Sequence, residues 1–174
     1  MAKSSKDQIE QDENKLLSEL MKNSKENIDT IAKHCGFSRQ KTWRMIKHLE
    51  TSQKIWGYSA VVDSKEQGLE KFMLFIKRAH EKLAPKDTIE ITTTYMNPMK
   101  EDLGITVLSS YYIHGEYDWV TVFTAKNILQ AKKFCDALIE RFPDTHKTYM
   151  NQVLFTVREQ CIQNPNIIEM KDFI

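Results

Sequence analysis

The sequence predicts an α+β protein with an N-terminal winged helix-turn-helix domain and a C-terminal ferredoxin-like domain of order β-α-β-β-α-β. In the first half, two short amphipathic helical segments flank Gly36. In the second half, apolar runs that are typical of strands alternate with a helical pattern. The chain of 174 residues is long enough for two small domains. The predicted boundaries are residues 8–63 for the first domain, 64–70 for a hinge, 71–160 for the second domain and 161–174 for a tail without predicted structure.

Residues that are typical of turns and helix caps predict where the helices of the first domain begin and end. Gly36 permits a left-handed helix end, and Ser38 is a good N-cap because its hydroxyl accepts from free amides of the next turn. Trp56 and Tyr58 favour a strand after the last helix. The predicted elements are helices over residues 12–21, 28–35 and 39–50, followed by a strand over residues 55–63.

The third predicted helix has two unlike faces. Trp43, Ile46 and Leu49 are expected to face the core. The other face carries basic and amide side chains, a mixture that suits phosphate contacts and bidentate contacts to base edges. The sequence therefore predicts a recognition helix for the DNA major groove. The residues of this second face are Arg39, Gln40, Arg44, Lys47 and His48, with Lys33, Lys41 and Lys54 nearby.

Two plainer interpretations of this pattern remain open. Two helices joined at a glycine occur in many helical domains, and a basic face is often only a solvated face. The net charge of +1 does not mark a nucleic-acid binder, because the positive charge is local to the third helix. A single copy of such a site would bind DNA weakly, so a dimer is predicted.

The second domain is predicted as a four-stranded sheet with two helices on one face. A two-residue link, Gly115-Glu116, predicts an antiparallel hairpin. The opposite sheet face would expose apolar side chains, which is a physical reason for dimerisation through this domain. The predicted elements are strands over residues 72–77, 107–114, 117–125 and 148–158, a helix over residues 127–142, and a helix within residues 85–103 that starts near Asp87.

Composition and residue spacing bear on the cellular location of the protein and on whether it has disulfides or a metal site. No apolar run is long enough for a transmembrane helix, and the polar N-terminus lacks the apolar segment of a signal peptide, so a cytoplasmic protein is expected. The three cysteines are widely spaced and odd in number, which favours buried thiols over disulfides or metal ligands. The five histidines show no metal-ligand spacing, and neither a metal nor a cofactor is predicted.

Four segments occur in a characteristic order: DENKLLSELMKN, IAKHCGFSRQKTWRMIKHLE, KIWGYSAVVD and YIHGEYDWVTVF. Taken together, they resemble the Lrp/AsnC family of transcription regulators, also called feast/famine proteins. The resemblance implies a DNA-binding helix-turn-helix domain and a ferredoxin-like effector domain. It also implies homodimers that often assemble into octamers, and a small effector, usually an amino acid, bound between effector domains.

The resemblance also implies roles for individual residues. Ser38, Arg39, Gln40 and Thr42 match the N-terminal half of the family's recognition helix, and Arg44 and Lys47 match its basic positions. Lys41 stands where the family often has proline, and Met45 where it often has a second arginine, which leaves the operator sequence open. The predicted DNA-binding residues are Ser38, Arg39, Gln40, Lys41, Thr42, Arg44 and Lys47.

The effector prediction rests on the hairpin and the last strand. Gly115, Tyr117 and Asp118 match the family's Gly-x-x-Asp hairpin, and Asp118 is able to accept from a ligand ammonium group. The alternative is that Asp118 only caps the turn through the backbone. Met150, Asn151 and Gln152 are further candidates for the effector pocket, in a strand whose register the sequence does not fix.

Two other functions compete with a sequence-specific regulator. An architectural protein that wraps DNA with low specificity would use the same helices, and it would bind unrelated DNA almost as well as its best site. An enzyme is the third hypothesis, because ferredoxin-like dimers include small catalysts. The sequence shows no nucleophile–base pair and no phosphate loop, and His114 is its only suspicious titratable group.

Overall fold

The computed structural model describes residues 6–79, 104–142 and 145–174, apart from the side chain of His146. It contains helices and an antiparallel sheet, so the predicted α+β class is confirmed. The chain divides into two compact units: unit 1 comprises Met1–Val61 and Val157–Ile167, and unit 2 comprises Val62–Thr156 and Ile168–Ile174. No described helix has the length and apolar character that a membrane span requires.

Unit 1 is built on three helices, α1 (Lys6–Lys22), α2 (Ile28–Cys35) and α3 (Arg39–Thr51). Asn27 caps α2, since its side chain accepts from the Thr30 amide at 2.9 Å. One apolar cluster holds the helices together, and burying such side chains contributes about 1.5–3 kcal/mol each. The buried members are Leu16, Leu20, Ile31, Cys35 and Leu49.

The strand predicted over residues 55–63 is absent, and that prediction is wrong. Trp56 is 96% exposed, and residues 56–63 form no strand. Aromatic and β-branched residues favour a strand only when a neighbouring strand can pair with their backbone groups. No described segment pairs with residues 56–63. The polar hinge predicted over residues 64–70 contains a short 3-10 helix, Ser64–Gln67, capped by Asp63.

Unit 2 contains a four-stranded antiparallel sheet of β1 (Glu70–Arg78), β2 (Thr106–Tyr112), β3 (Trp119–Ala125) and β4 (Thr145–Gln152). The strand order across the sheet is β2-β3-β1-β4. A fourth helix, α4 (Ile128–Arg141), packs on one face of this sheet.

The core of unit 2 lies between the sheet and α4. Phe72 and Phe123 stack with ring centroids 5.6 Å apart, and Phe123 meets Phe134 of α4 at 4.8 Å. Leu74 and Leu138 complete the buried layer. The helix predicted within residues 85–103 falls outside the described residues.

Two strand boundaries differ from the prediction for a common reason, which is backbone pairing. The link between β2 and β3 runs from Ile113 to Asp118 instead of two residues, because the Asp118 amide donates to the Ile76 carbonyl of β1 at 2.9 Å. The last strand ends at Gln152 rather than at residue 158. Beyond it, the Val153 amide still donates to the Lys71 carbonyl at 2.8 Å, and the described pairing with β1 ends there.

The C-terminal tail, for which no structure was predicted, contains two short elements. A two-stranded hairpin is formed by β5 (Arg158–Glu159) and β6 (Ile162–Gln163). A 3-10 helix, Ile167–Phe173, follows. Phe173 contacts Phe155 with ring centroids 5.6 Å apart.

The three thiols are expected to differ sharply in reactivity. Cys35 and Cys135 are buried and Cys161 is exposed. Burial raises the pKa of the Cys35 thiol, and it raises the pKa of Cys135 to about 11, so both stay protonated and shielded at neutral pH. We expect one fast thiol in the native protein and three after denaturation, measured with Ellman's reagent. A fast-reacting thiol in the native Cys161→Ser variant would contradict the assignment of the fast thiol to Cys161.

Candidate nucleic-acid interface

The turn between α2 and α3 fixes the direction of α3 relative to α2 within unit 1. Gly36 adopts φ 66°, a conformation that favours glycine, and the Phe37 amide donates to the Ala32 carbonyl at 2.8 Å. Ser38 then begins α3, because its hydroxyl accepts from the Lys41 amide at 3.2 Å. The cap and the turn together set the first residues of α3 in a defined orientation.

The predicted DNA-binding residues divide by exposure. Ser38, Arg39, Gln40, Arg44 and Lys47 are exposed on one face of α3 or at its start. Thr42 is completely buried, at 0% exposure, and its hydroxyl donates to the Ser38 carbonyl at 3.1 Å. Its side chain therefore supports the first turn of α3 rather than facing solvent, and we remove Thr42 from the DNA-binding set.

Lys41 is directed toward α1 and the turn. Its ammonium pairs with the Asp12 carboxylate and lies 4.2 Å from the centre of the Phe37 ring. The hydrogen bond from Lys41 lowers the pKa of the Asp12 carboxyl. Lys41 therefore joins the start of α3 to α1, and a DNA phosphate would have to compete with Asp12 for it.

The exposed cations of α3 differ in their ion pairs. Arg39 pairs with Asp29 of α2, and Lys47 pairs with Glu50 at 2.7 Å, which lowers the pKa of the Glu50 carboxyl. Such exposed pairs contribute little to stability and exchange readily for other partners. Arg44 and Gln40 form no ion pair or side-chain hydrogen bond with any residue that the structure describes. Their donors are available to a ligand without breaking an existing contact.

Trp43 does not face the core as predicted. Its side chain is 55% exposed, whereas Leu49 is fully buried and Ile46 packs against the core cluster. The error has a geometric cause: Thr42, not Trp43, lies two helical turns before Leu49 and so shares its buried side of α3. The sequence signal that would have placed Trp43 correctly is its spacing of four residues from both Arg39 and Lys47.

The start of α3 also suits an anion. The first backbone amides of a helix lack intrahelical partners and lie at the positive end of the helix dipole. The first turn of α3 contains no acidic residue, and Ser38 occupies only the Lys41 amide. A phosphate group is the kind of ligand that this arrangement accepts.

The hairpin residues predicted to bind an effector lie at one end of the sheet. The Asp118 carboxylate accepts from the Arg78 amide at 2.8 Å, so it joins the hairpin to β1 rather than capping its own turn. Tyr117 contacts Phe75 and Tyr149, with ring centroids 5.3 and 5.6 Å apart. Gly115 adopts φ 150° within this loop.

The predicted effector residues of β4 are not brought together with the hairpin. Met150 faces α4, where its sulfur lies 3.6 Å from the Cys135 Sγ, while Asn151 is exposed beside Met73. Gln152 pairs with Phe72, six residues along β1 from Arg78, which corresponds to about 20 Å. Gln152 instead lines a cleft of about 460 Å³ that also involves Lys71 and Phe155.

Comparison with solved structures identifies the fold. The structure matches an AsnC family transcriptional regulator from Agrobacterium tumefaciens with a TM-score of 0.64 at 16% identity, covering 89% of this chain and 96% of that one. It matches E. coli AsnC with a TM-score of 0.61 at 18% identity, covering 87% and 96%. This chain has the Lrp/AsnC fold.

A third match is a Neisseria meningitidis transcriptional regulator whose structure is a complex with L-Met. The TM-score is 0.65 at 15% identity, and the match covers 99% of this chain and 100% of that one. No protein-family model matches the sequence, and no curated protein matches it. The resemblance predicted from the sequence is therefore confirmed at the level of the Lrp/AsnC fold.

The sheet face opposite α4 carries an aromatic cluster in this version of the Lrp/AsnC fold. Phe75 pairs with Tyr149 of β4 and with Val120 of β3, and Val120 in turn pairs with Tyr111 of β2. Directly opposed residues share a face, so these side chains are neighbours. Tyr111 is 54% exposed and Tyr149 is 36% exposed.

Proposed function

We propose that this protein is a DNA-binding transcription regulator of the Lrp/AsnC type, not an enzyme. In this proposal, α2 and α3 form the helix-turn-helix and unit 2 is the ferredoxin-like effector and dimerisation module. The exposed face of α3 carries the proposal, because it presents amide and guanidinium donors that pair with no described residue, beside cations whose ion pairs are exposed. The strand order β2-β3-β1-β4, within an Lrp/AsnC fold, supports the assignment of unit 2.

Each side chain has a distinct role when α3 enters the major groove. Arg44 and Gln40 reach base edges, since a guanidinium fits guanine and an amide fits adenine. Arg39, Lys47 and the first amides of α3 contact phosphates and set the register of the helix on the duplex. Ser38 and Thr42 act indirectly, by holding the first turn of α3 in place.

The active species in this proposal is a homodimer formed through the sheet face opposite α4. The support is physical, because the aromatic cluster of Phe75, Tyr111, Tyr117 and Tyr149 is only partly buried and is better stabilised against a second copy than against water. Two copies present two α3 helices, so that two half-sites are read together.

Selection of bound genomic DNA tests the proposal. The intact protein is mixed with fragmented DNA from its own source at several salt concentrations, and the bound fragments are sequenced. The proposal predicts enrichment of a few palindromic sites, bound about 10³-fold more tightly than unrelated DNA. Even coverage of the genome would favour the architectural alternative, and no binding at low salt would overturn both.

We further propose that a small effector, such as an amino acid, modulates DNA binding through the hairpin that contains Gly115, Tyr117 and Asp118. The support is the L-Met complex of the Neisseria meningitidis regulator, together with the half-buried acceptor and aromatic groups of this hairpin. Asp118 is the residue whose carboxylate would accept from the effector's ammonium group.

Asp118→Ala is expected to abolish the effector response while leaving DNA affinity without effector within about threefold of wild type, since Asp118 lies outside unit 1. The measurement is the DNA affinity of each variant with and without each of the common amino acids. Glu116→Ala removes a neighbouring exposed carboxylate of the same loop and serves as the control. An unchanged response in Asp118→Ala would remove Asp118 from the effector site.

A further inference from the structure

Trp43 is the large apolar side chain within the exposed face of α3. It is 55% exposed, and it lies one helical turn from Arg39 and one from Lys47. At 3.6 residues per turn, Trp43 is rotated by only about 40° around the helix from each of these cations. An apolar group therefore sits among the side chains that are proposed to face DNA.

The packing of unit 1 does not account for Trp43. Met45 and Ile46 of α3 pack against the core cluster around Leu49, and Trp43 is not part of that described cluster. No ring contact or hydrogen bond involves Trp43 among the residues that the structure describes. Removing its ring is therefore expected to leave the three-helix core intact.

The chemistry of an indole restricts what it can recognise in a major groove. It has one N–H donor and no acceptor, and most of its surface is apolar. The faces of stacked base pairs are covered by their neighbours. The apolar feature that the major groove does display is the C5-methyl group of thymine.

We propose that Trp43 reads thymine through contact with its C5-methyl group, which makes Trp43 a specificity determinant beside Arg44 and Gln40. This inference rests on the proposed function, because it requires α3 to lie in the major groove. Contact with a methyl group distinguishes thymine from cytosine, which offers an amino donor and no methyl group at that edge.

The test is a double-mutant cycle between protein and DNA. The best fragment from the genomic selection is synthesised with each thymine in turn replaced by deoxyuridine, which removes only the methyl group. Each DNA is titrated with wild-type protein, Trp43→Ala and Trp56→Ala. Trp56, at 96% exposure, lies outside α3 in the same unit and is a matched control.

Replacing thymine by deoxyuridine is expected to lower the affinity of the wild-type protein about fourfold at one or two positions per half-site. This factor corresponds to the free energy of burying about one methylene-sized group. Trp43→Ala should bind the thymine and deoxyuridine DNAs equally at those positions, and Trp56→Ala should behave as wild type. Circular dichroism checks that each variant keeps its helices. Trp43→Gln provides a second variant should the alanine variant fold poorly.

Two outcomes separate this inference from the proposed function. Specific binding that is unaffected by deoxyuridine, or a methyl effect that persists in both Trp43 variants, would overturn the role of Trp43 and leave the regulator intact. Absence of specific binding by the wild-type protein would overturn the proposed function itself.

Discussion

Arg44→Ala is expected to weaken binding to the selected site by about fivefold to 150-fold, the effect of losing one bidentate arginine contact to a base. Arg44 is exposed on α3 and has no ion pair with a described residue, so its guanidinium needs no rearrangement to meet DNA. The loss should be larger for the selected site than for unrelated DNA, because base contacts carry the specificity.

Affinity is measured by titration of both DNAs at two or more salt concentrations. Arg141→Ala, which removes an exposed arginine from α4 of unit 2, is the matched control and should bind as wild type. Lys47→Ala provides a contrast: it should weaken both DNAs alike and reduce the salt dependence by about one phosphate contact. If Arg44→Ala bound both DNAs as wild type does, α3 would not be the recognition helix.

Tyr149→Glu is expected to convert the proposed dimer into monomers and to lower affinity for the palindromic site by about 10²-fold or more, because linked binding of two half-sites is lost. Tyr149 is 36% exposed and contacts Tyr117 on the sheet face opposite α4. A carboxylate at this position would lose its hydration in the proposed dimer, and the Lys147 ammonium, which lies 4.5 Å from the centre of the Tyr149 ring, would offset only part of that cost.

Oligomeric state is measured by light scattering, and DNA affinity by titration. Leu129→Glu is the control, since it introduces the same charge in place of an exposed apolar residue of α4. That variant should remain dimeric. A Tyr149→Glu protein that is folded, dimeric and fully active in DNA binding would place the interface elsewhere.

Local signals predicted α2, α3 and α4 to within one residue at each end, whereas α1 begins at Lys6, six residues before its predicted start. Asn27, Gly36, Ser38 and Asn127 cap or end helices through contacts within four residues, so the sequence alone determines them. The same holds for the apolar spacing of α4 around Phe134. Elements of this kind can be predicted because their backbone partners lie nearby in the chain.

The strand boundaries were harder to predict, because they depend on backbone partners that are distant in the sequence. The strand expected over residues 55–63 finds no described partner, and β4 ends at Gln152, which pairs with Phe72 of β1. The loop before β3 is lengthened by the bonds of Asp118 to Ile76 and Arg78. None of these cross-strand contacts leaves a periodic signal in one sequence.

The face of α3 that is proposed to bind DNA was predicted in part. Charge and amide content placed Gln40 and Arg44, which the structure shows exposed. Composition did not reveal that Lys41 pairs with Asp12, that Thr42 is buried, or that Trp43 is exposed. The surroundings of Lys41, Thr42 and Trp43 depend on how α3 is rotated about its axis against α1 and α2. Tertiary packing determines that rotation.

Chemical footprinting of the complex tests the entry of α3 into the major groove most directly. Dimethyl sulfate methylates guanine N7 in the major groove and adenine N3 in the minor groove, so the two grooves are read in one experiment. The account predicts protection of guanine N7 in two half-sites separated by about one helical turn or a multiple of it, and loss of that protection with Arg44→Ala. Binding that leaves every guanine N7 reactive would contradict it.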